Sequence, residues 1–294
     1  MVRNRTLRAM IPVALVTHLA LGGVLWVMAA SWYLGCRPDP AVSLIFAGLV
    51  FGIYMINRFT DRREDLANNS DRLWLMERGH VFFYLGVLGL AGSTGLLVVN
   101  EAMTGFHLAL ILLGLAYSYR FFPWLERGEI RFVRLKEIPF VKNLTVGLLW
   151  GSSVFVIPIL FHGLEATLSL GMVLLVVAST TTVLTNTIFC DVRDVTGDRL
   201  AGNRTLPCLI GVSATYKMLA ALNIVVIATA SIAYAFNAAE VGQLTYVFLV
   251  SFYPLIYIVA HERKWLSRAW VEFVADSTPM ICAAGLVLLR LTTV

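Results

Sequence analysis

Residues 168–198 read LSLGMVLLVVASTTTVLTNTIFCDVRDVTGD. The first part, 168–190, carries no charge and is long enough to cross a bilayer core, which takes about 20 mainly apolar residues. Only helices and closed barrels satisfy their backbone in lipid, and this run is continuous rather than alternating, so a membrane helix is expected. It then passes directly into three aspartates. Working outward, eight further apolar stretches lie near 11–31, 40–57, 80–99, 102–120, 138–161, 215–235, 243–261 and 273–292. The 294 residues are 59% hydrophobic and 14% charged, with mean hydropathy +0.78, against about 25% charged residues in soluble domains. The expectation is an all-α, polytopic membrane protein: nine transmembrane helices in a single bundle, with 1–294 as one domain because no Pro- or Ser-rich linker interrupts it.

The basic residues give the orientation, because short cytoplasmic loops concentrate Lys and Arg. With the N-terminus inside, nineteen of the 23 fall in the N-terminal segment and the 57–80, 120–137, 191–214 and 261–272 loops. Lys142 and Lys217 lie near inner helix ends, and only Arg37 and Arg290 remain outside. The C-terminus is therefore expected outside. The leading MVRNRTLRAM resembles a signal peptide, but the apolar run continues to about Ser31 without an early small-residue cleavage site, so a retained first helix is expected. A net charge of +5 suits loops on an anionic leaflet and asks for no nucleic-acid partner. Cys36, Cys190, Cys208 and Cys282 lie far apart, which speaks against a disulfide framework or a zinc site.

Two acidic runs follow the second and sixth stretches, on the same expected side of the membrane. The first is Asn57, Asp61 and Asp65, at i, i+4 and i+8; the second is Asp191, Asp194 and Asp198, at i, i+3 and i+7. Both spacings line one face of a helix, although Gly197 makes the last turn of the second doubtful. One reading is local pairing with Arg58, Arg62, Arg63, Arg193 and Arg199. The other is a cation site, and oxygen-only ligands suit Mg²⁺, which binds few carboxylates together with substrate phosphates. After the second run come Gly202, Arg204, Thr205, Leu206, Pro207 and Gly211, a turn in which Arg204 can offer a fork of donors to a phosphate.

These runs resemble the NxxxDxxxD and DxxDxxGD…GxxTLP motifs of the UbiA superfamily of intramembrane prenyltransferases. The resemblance covers essentially the whole chain. It implies a nine-helix fold with both motifs cytoplasmic. It also implies that Asn57, Asp61, Asp65, Asp191, Asp194 and Asp198 hold two Mg²⁺ ions on the diphosphate of an isoprenoid donor, with Asp61, Asp65, Asp194 and Asp198 as catalytic residues. The implied activity is Mg²⁺-dependent transfer of an isoprenyl chain from an allylic diphosphate to a lipophilic acceptor, aromatic or lipid, within the bilayer. The sequence departs from the family pattern at Arg58, where Asp is frequent, and lacks an Arg-Pro pair after the first motif. The lysine of a YxxxK element is also missing four residues after Tyr117, leaving Arg120, Lys136 or Lys142 to replace it.

Lys142 either meets an anion or snorkels to the inner interface. Arg204 and Lys142 are the candidates for steadying the leaving group, and Tyr54 and Tyr117 the aromatic candidates for substrate contact. Thr180, Thr181, Thr182, Thr185, Asn186 and Thr187 read as back-bonding or close-packing polar residues, or else as a polar wall. Glu272 and Asp276 read either as contacts to the polar cavity or, more simply, as an acidic pair at the N-terminus of the ninth helix. No role follows for the five histidines. The rival class is a transporter or divalent-cation channel, and further rivals are a terpene cyclase or a phosphoribosyl transferase of the same superfamily. An inactive relative is disfavoured by the intact aspartates. Oligomeric state does not follow from the sequence.

Overall fold

Long uncharged runs leave the backbone nowhere to bond but within itself, and the chain answers with helices. In the computed structural model, residues 2–61, 73–126, 128–138, 140–164, 169–201 and 204–292 are described. Eleven helices follow in chain order: α1 (Val2–Tyr33), α2 (Pro40–Thr60), α3 (Leu73–Val99), α4 (Gly105–Ser118), α5 (Val141–Phe161), α6 (Leu170–Ala201), α7 (Leu206–Ile210), α8 (Val212–Ala235), α9 (Val241–Glu262), α10 (Arg268–Asp276) and α11 (Thr278–Thr292). Each of the nine predicted stretches carries helix, and the protein is an integral membrane protein.

Among the described residues seven helices are long and apolar enough to cross a membrane, and the pair α10–α11 makes an eighth if counted as one span. The ninth predicted stretch is thus broken. α10 and α11 meet at a 42° bend, next to Pro279, which cannot donate a backbone hydrogen bond. The fourth predicted stretch is helical over 14 residues only, about 21 Å at 1.5 Å per residue, short of a full crossing. One element lies outside an all-α expectation: between α4 and α5 the chain forms an antiparallel hairpin of β1 (Phe122–Glu126) and β2 (Glu129–Val133).

The helices pack around an interior space walled by α1, α2, α4, α5, α6 and the end of α10. α1 packs between α2 and α11, α11 on α9, α9 on α6, α6 on α5, and α5 back on α1. α2 also holds α3 closely. A Cβ at Gly52 would stand 2.9 Å from the Gly86 carbonyl oxygen, so glycine is what lets these two backbones touch. At Gly151 the approach is tighter: a Cβ there would lie 2.5 Å from the Thr180 Cα, joining α5 to α6 beside the interior space. Backbone cannot give way as a side-chain tip can. Gly151→Ala is therefore expected to lower stability by about 1–3 kcal/mol, the range for overpacking a close contact, measured as thermal unfolding in detergent. An unchanged midpoint would show that the two helices can part at no cost.

Candidate active site

The interior space is a cavity of about 330 Å³, within the range of small-molecule sites. Along α5 its wall runs from Lys142 to Ile157, about 22 Å at helical rise. One end is polar. Asn57 and Arg58 reach it from α2, Lys142 from α5, Asn186, Asp191, Arg193 and Asp194 from α6, and Asp276 from α10. The rest is apolar and aromatic, with Phe46, Leu49, Leu110, Leu149, Trp150 and Ile157 among its walls. Tyr54 and Phe46 set their rings edge-on to Trp150, at centroid distances of 6.3 and 5.6 Å.

On α6, Asp191 and Asp194 reach this end, and the helix does not stop at Gly197. It continues to Ala201, so Asp191, Asp194 and Asp198 ride on regular helix and the doubtful last turn is formed. Asp191 is buried, with Lys142 donating to one carboxylate oxygen and Asn143 Nδ2 to the other at 3.0 Å. Lys142 thus turns inward to an anion and does not snorkel. Arg193 links α6 to α10, its guanidinium 3.4 Å from Asp194 and 3.6 Å from Glu272. Glu272 and Asp276 are not a helix N-terminal pair: α10 ends at Asp276, and the bend brings that carboxylate to the cavity wall.

Of the first run, Asn57 lines the cavity and Asp61 does not. Asp61 caps the C-terminus of α2 and faces the segment after the hairpin, where Arg134 lies 3.4 Å away and Lys136 also donates to it. Asp65 lies outside the described residues. Asp198 is buried beyond the cavity lining and accepts a hydrogen bond from Thr205 Oγ1 at 3.2 Å. Arg204 is exposed and outside the lining, whereas Tyr54 and Tyr117 are both in it.

Of the three cations able to replace the missing lysine, Lys142 alone lines the cavity; Arg120 pairs with Glu137 at 3.1 Å on the surface. Burial pushes the Glu137 carboxyl up, but hydrogen bonds from Arg134 and Arg120 outweigh it and hold it below the ordinary range. Burial first, then the charges of Lys142 and Arg58, push the Lys136 ammonium down to about 7 against the pull of Glu137. The direct contact with the Asp61 carboxylate acts the other way and favours the charged ammonium. Cations crowd this end of the molecule.

Two buried amide oxygens at the polar end, Asn57 Oδ1 and Asn186 Oδ1, have no hydrogen-bond partner among the described residues. An uncompensated buried acceptor costs about 1–3 kcal/mol, so each asks for a donor or a cation. Among the described residues no three His, Cys, Asp or Glu side chains come close enough to hold a metal between them. The donor set is hard oxygen with few carboxylates. That suits an ion completing its shell with phosphate oxygens and water, as Mg²⁺ does. The threonines of α6 divide: Thr187 lines the cavity while bonding back to the Leu184 carbonyl at 2.9 Å, and Thr182 crosses to the Val250 carbonyl at 2.9 Å. Trp150 and Phe46 were missed in the sequence, where neither carries a motif signal.

Fold and cavity together define the class: a helical integral membrane protein whose long apolar chamber is polar and charged at one end. The chain belongs to the UbiA prenyltransferase family, whose sequence model matches residues 10–273. Solved structures agree on the fold. A UbiA homolog from Archaeoglobus fulgidus bound to GPP and Mg²⁺ superposes with a TM-score of 0.62 at 19% identity, over 97% of this chain and 99% of that one. The apo UbiA homolog from Aeropyrum pernix K1 gives 0.62 at 16% identity, over 91% and 96%. A digeranylgeranylglyceryl phosphate synthase gives 0.57 at 14% identity, over 97% and 99%. No curated protein matches the chain in sequence.

Proposed function

We propose that this protein transfers an isoprenyl chain from an allylic diphosphate to a lipophilic acceptor inside the bilayer, with Mg²⁺ as cofactor. The observation that carries the reading is the single cavity, with Asn57 from one acidic run and Asp191 and Asp194 from the other at its polar end and a long greasy remainder. A prenyl diphosphate has the same division. Family membership supports the chemistry, as does a fold shared with homologs bound to GPP or DMAPP and Mg²⁺.

The residues of both runs, Asn57, Asp61, Asp65, Asp191, Asp194 and Asp198, are the proposed ligand set. Asn57, Asp191 and Asp194 reach the cavity directly. Mg²⁺, when bound, would neutralise the diphosphate and act as a Lewis acid on the leaving oxygen. Lys142 and Arg58 supply the cationic wall that steadies the departing diphosphate. Tyr54, Tyr117 and Trp150 line the chamber beyond it, where aromatic faces favour a developing allylic cation and apolar walls keep water away. With the short α4 and its flanking residues counted as a crossing, the basic-loop count supports an N-terminus and both runs on the cytoplasmic side and a C-terminus outside. A carrier would instead hold its polar residues near mid-membrane; here Lys142 is the second residue of α5 and the aspartates lie in the last turns of α6.

Purified protein given Mg²⁺ and dimethylallyl, geranyl or geranylgeranyl diphosphate is expected to bind the donor, and to release pyrophosphate once a lipid extract supplies the acceptor that takes the prenyl group, with EDTA stopping it; metal flux in proteoliposomes without donor would favour a carrier. The acceptor is read by mass spectrometry of the lipid that changes when the gene is deleted. Chain length is set at the apolar end. Ser153→Trp, which fills the wall next to Trp150 and Ile157, is expected to cut turnover of the geranylgeranyl donor at least tenfold relative to dimethylallyl, a difference of about 1.4 kcal/mol or more. An equal effect on both donors would mean that the tail does not lie along α5.

A further inference from the structure

The hairpin between α4 and α5 is used by nothing described above, and its register sorts its side chains unevenly. Pro123 pairs with Phe132 and Leu125 with Ile130, and cross-strand partners share a face, so these four make one wholly apolar face. The other face carries Phe122 and Trp124 together with Arg131, Glu129 and Val133. Leu125, Ile130 and Phe132 are 69, 70 and 61% exposed, a degree of exposure that a hairpin standing in water would not sustain across a whole face. A two-stranded hairpin is also marginal by itself in water.

The partner follows from where the hairpin is rooted. Val133 packs with Leu113 of α4 and Val141 of α5 against Ala116, Leu135 and Ile138, which ties the hairpin's base to the ends of two membrane helices. Exposed Leu148, Leu144 and Phe140 descend at four-residue steps to that base, continuing the lipid-facing surface of α5 to the hairpin. Four side chains cannot bury the roughly 1,200 Å² of a stable protein interface, so a second copy is the weaker occupant. Strand edges keep unpaired backbone groups that need water or headgroups, so the seat is shallow. We propose that the β1–β2 hairpin lies on the bilayer on the side of the acidic runs, with Pro123, Leu125, Ile130 and Phe132 sunk to the headgroup–acyl boundary. Its base also holds Arg134 and Lys136 on Asp61, so the surface seat and the first acidic run share one support.

The test uses the full chain at one copy per nanodisc, with Ile130→Trp on the apolar face and Glu129→Trp on the other as its control. Each added tryptophan is read as the difference from the unsubstituted protein, in ordinary lipid and in lipid brominated near the top of the acyl chain. The added Trp at 130 is expected to emit at shorter wavelength and to lose most of its emission in brominated lipid, and the one at 129 to lose much less. Equal, weak quenching at both positions would overturn the proposal. So would quenching at 130 that is absent in singly loaded discs while emission at 130 shifts on crowding two copies per disc, since a second copy would then cover the face.

Discussion

Asp194→Ala is expected to abolish prenyl-diphosphate turnover, by a thousandfold or more in order of magnitude, while leaving the protein folded. Its carboxylate lines the polar end of the cavity, 3.4 Å from the Arg193 guanidinium. A long pair whose carboxylate is 28% exposed contributes about 0–1 kcal/mol, so losing this pair costs little stability. The measurement is pyrophosphate release with Mg²⁺, geranyl diphosphate and a lipid extract that supplies the acceptor, beside a thermal unfolding curve of the same sample. Asp194→Asn keeps the shape and removes the charge, and it should be nearly as inactive. Wild-type turnover in both variants would remove the proposed ligand set.

Lys142→Met is expected to fail in two separable ways. It leaves the buried Asp191 carboxylate with Asn143 as its remaining partner, and breaking a buried ion pair from one side costs about 3–5 kcal/mol. Since the Lys142 side chain is 24% exposed, the lower end of that range, about 3 kcal/mol, is the expected loss. The double variant Lys142→Met/Asp191→Asn removes both charges and should recover most of the stability. Turnover should stay low in both, because the cationic wall for the leaving diphosphate is gone. Recovery of activity together with stability in the double variant would make the pair structural alone. A stable, fully active Lys142→Met would mean that Arg58 or Lys136 carries the diphosphate.

Much of this architecture is written in local pattern. Uncharged runs of membrane length announce helices whatever surrounds them, and spacings of three and four place Asp191, Asp194 and Asp198 on one face as soon as the helix is known to continue. The motif spacing was enough to find Asn57, Tyr54 and Tyr117 and to suggest Lys142. The bend at Ser277 was not legible, because the apolar run through 273–292 reads as continuous. In a continuous helix Asp276 stands near its start, so the pattern favours a helix-start role over the cavity. The hairpin was hidden for a different reason: FPWLE and EIRFV are short, charged at their ends and set in a basic loop, with no strict alternation to reveal strands.

What the sequence determined by itself is the solvent and the element: a chain this apolar must live in lipid, and in lipid its backbone must coil. Which charges meet was decided only in three dimensions. Asp191 chose Lys142 and Asn143 from α5, Asp61 met Arg134 and Lys136 beyond the hairpin, and Arg193 bridged to Glu272. Helix periodicity sets the face on which a side chain stands, but a charge in a low-dielectric interior is stabilised by whatever opposite charge the packing brings within a few ångströms. That packing rests on close approaches such as Gly151 on Thr180, which no spacing along the chain records.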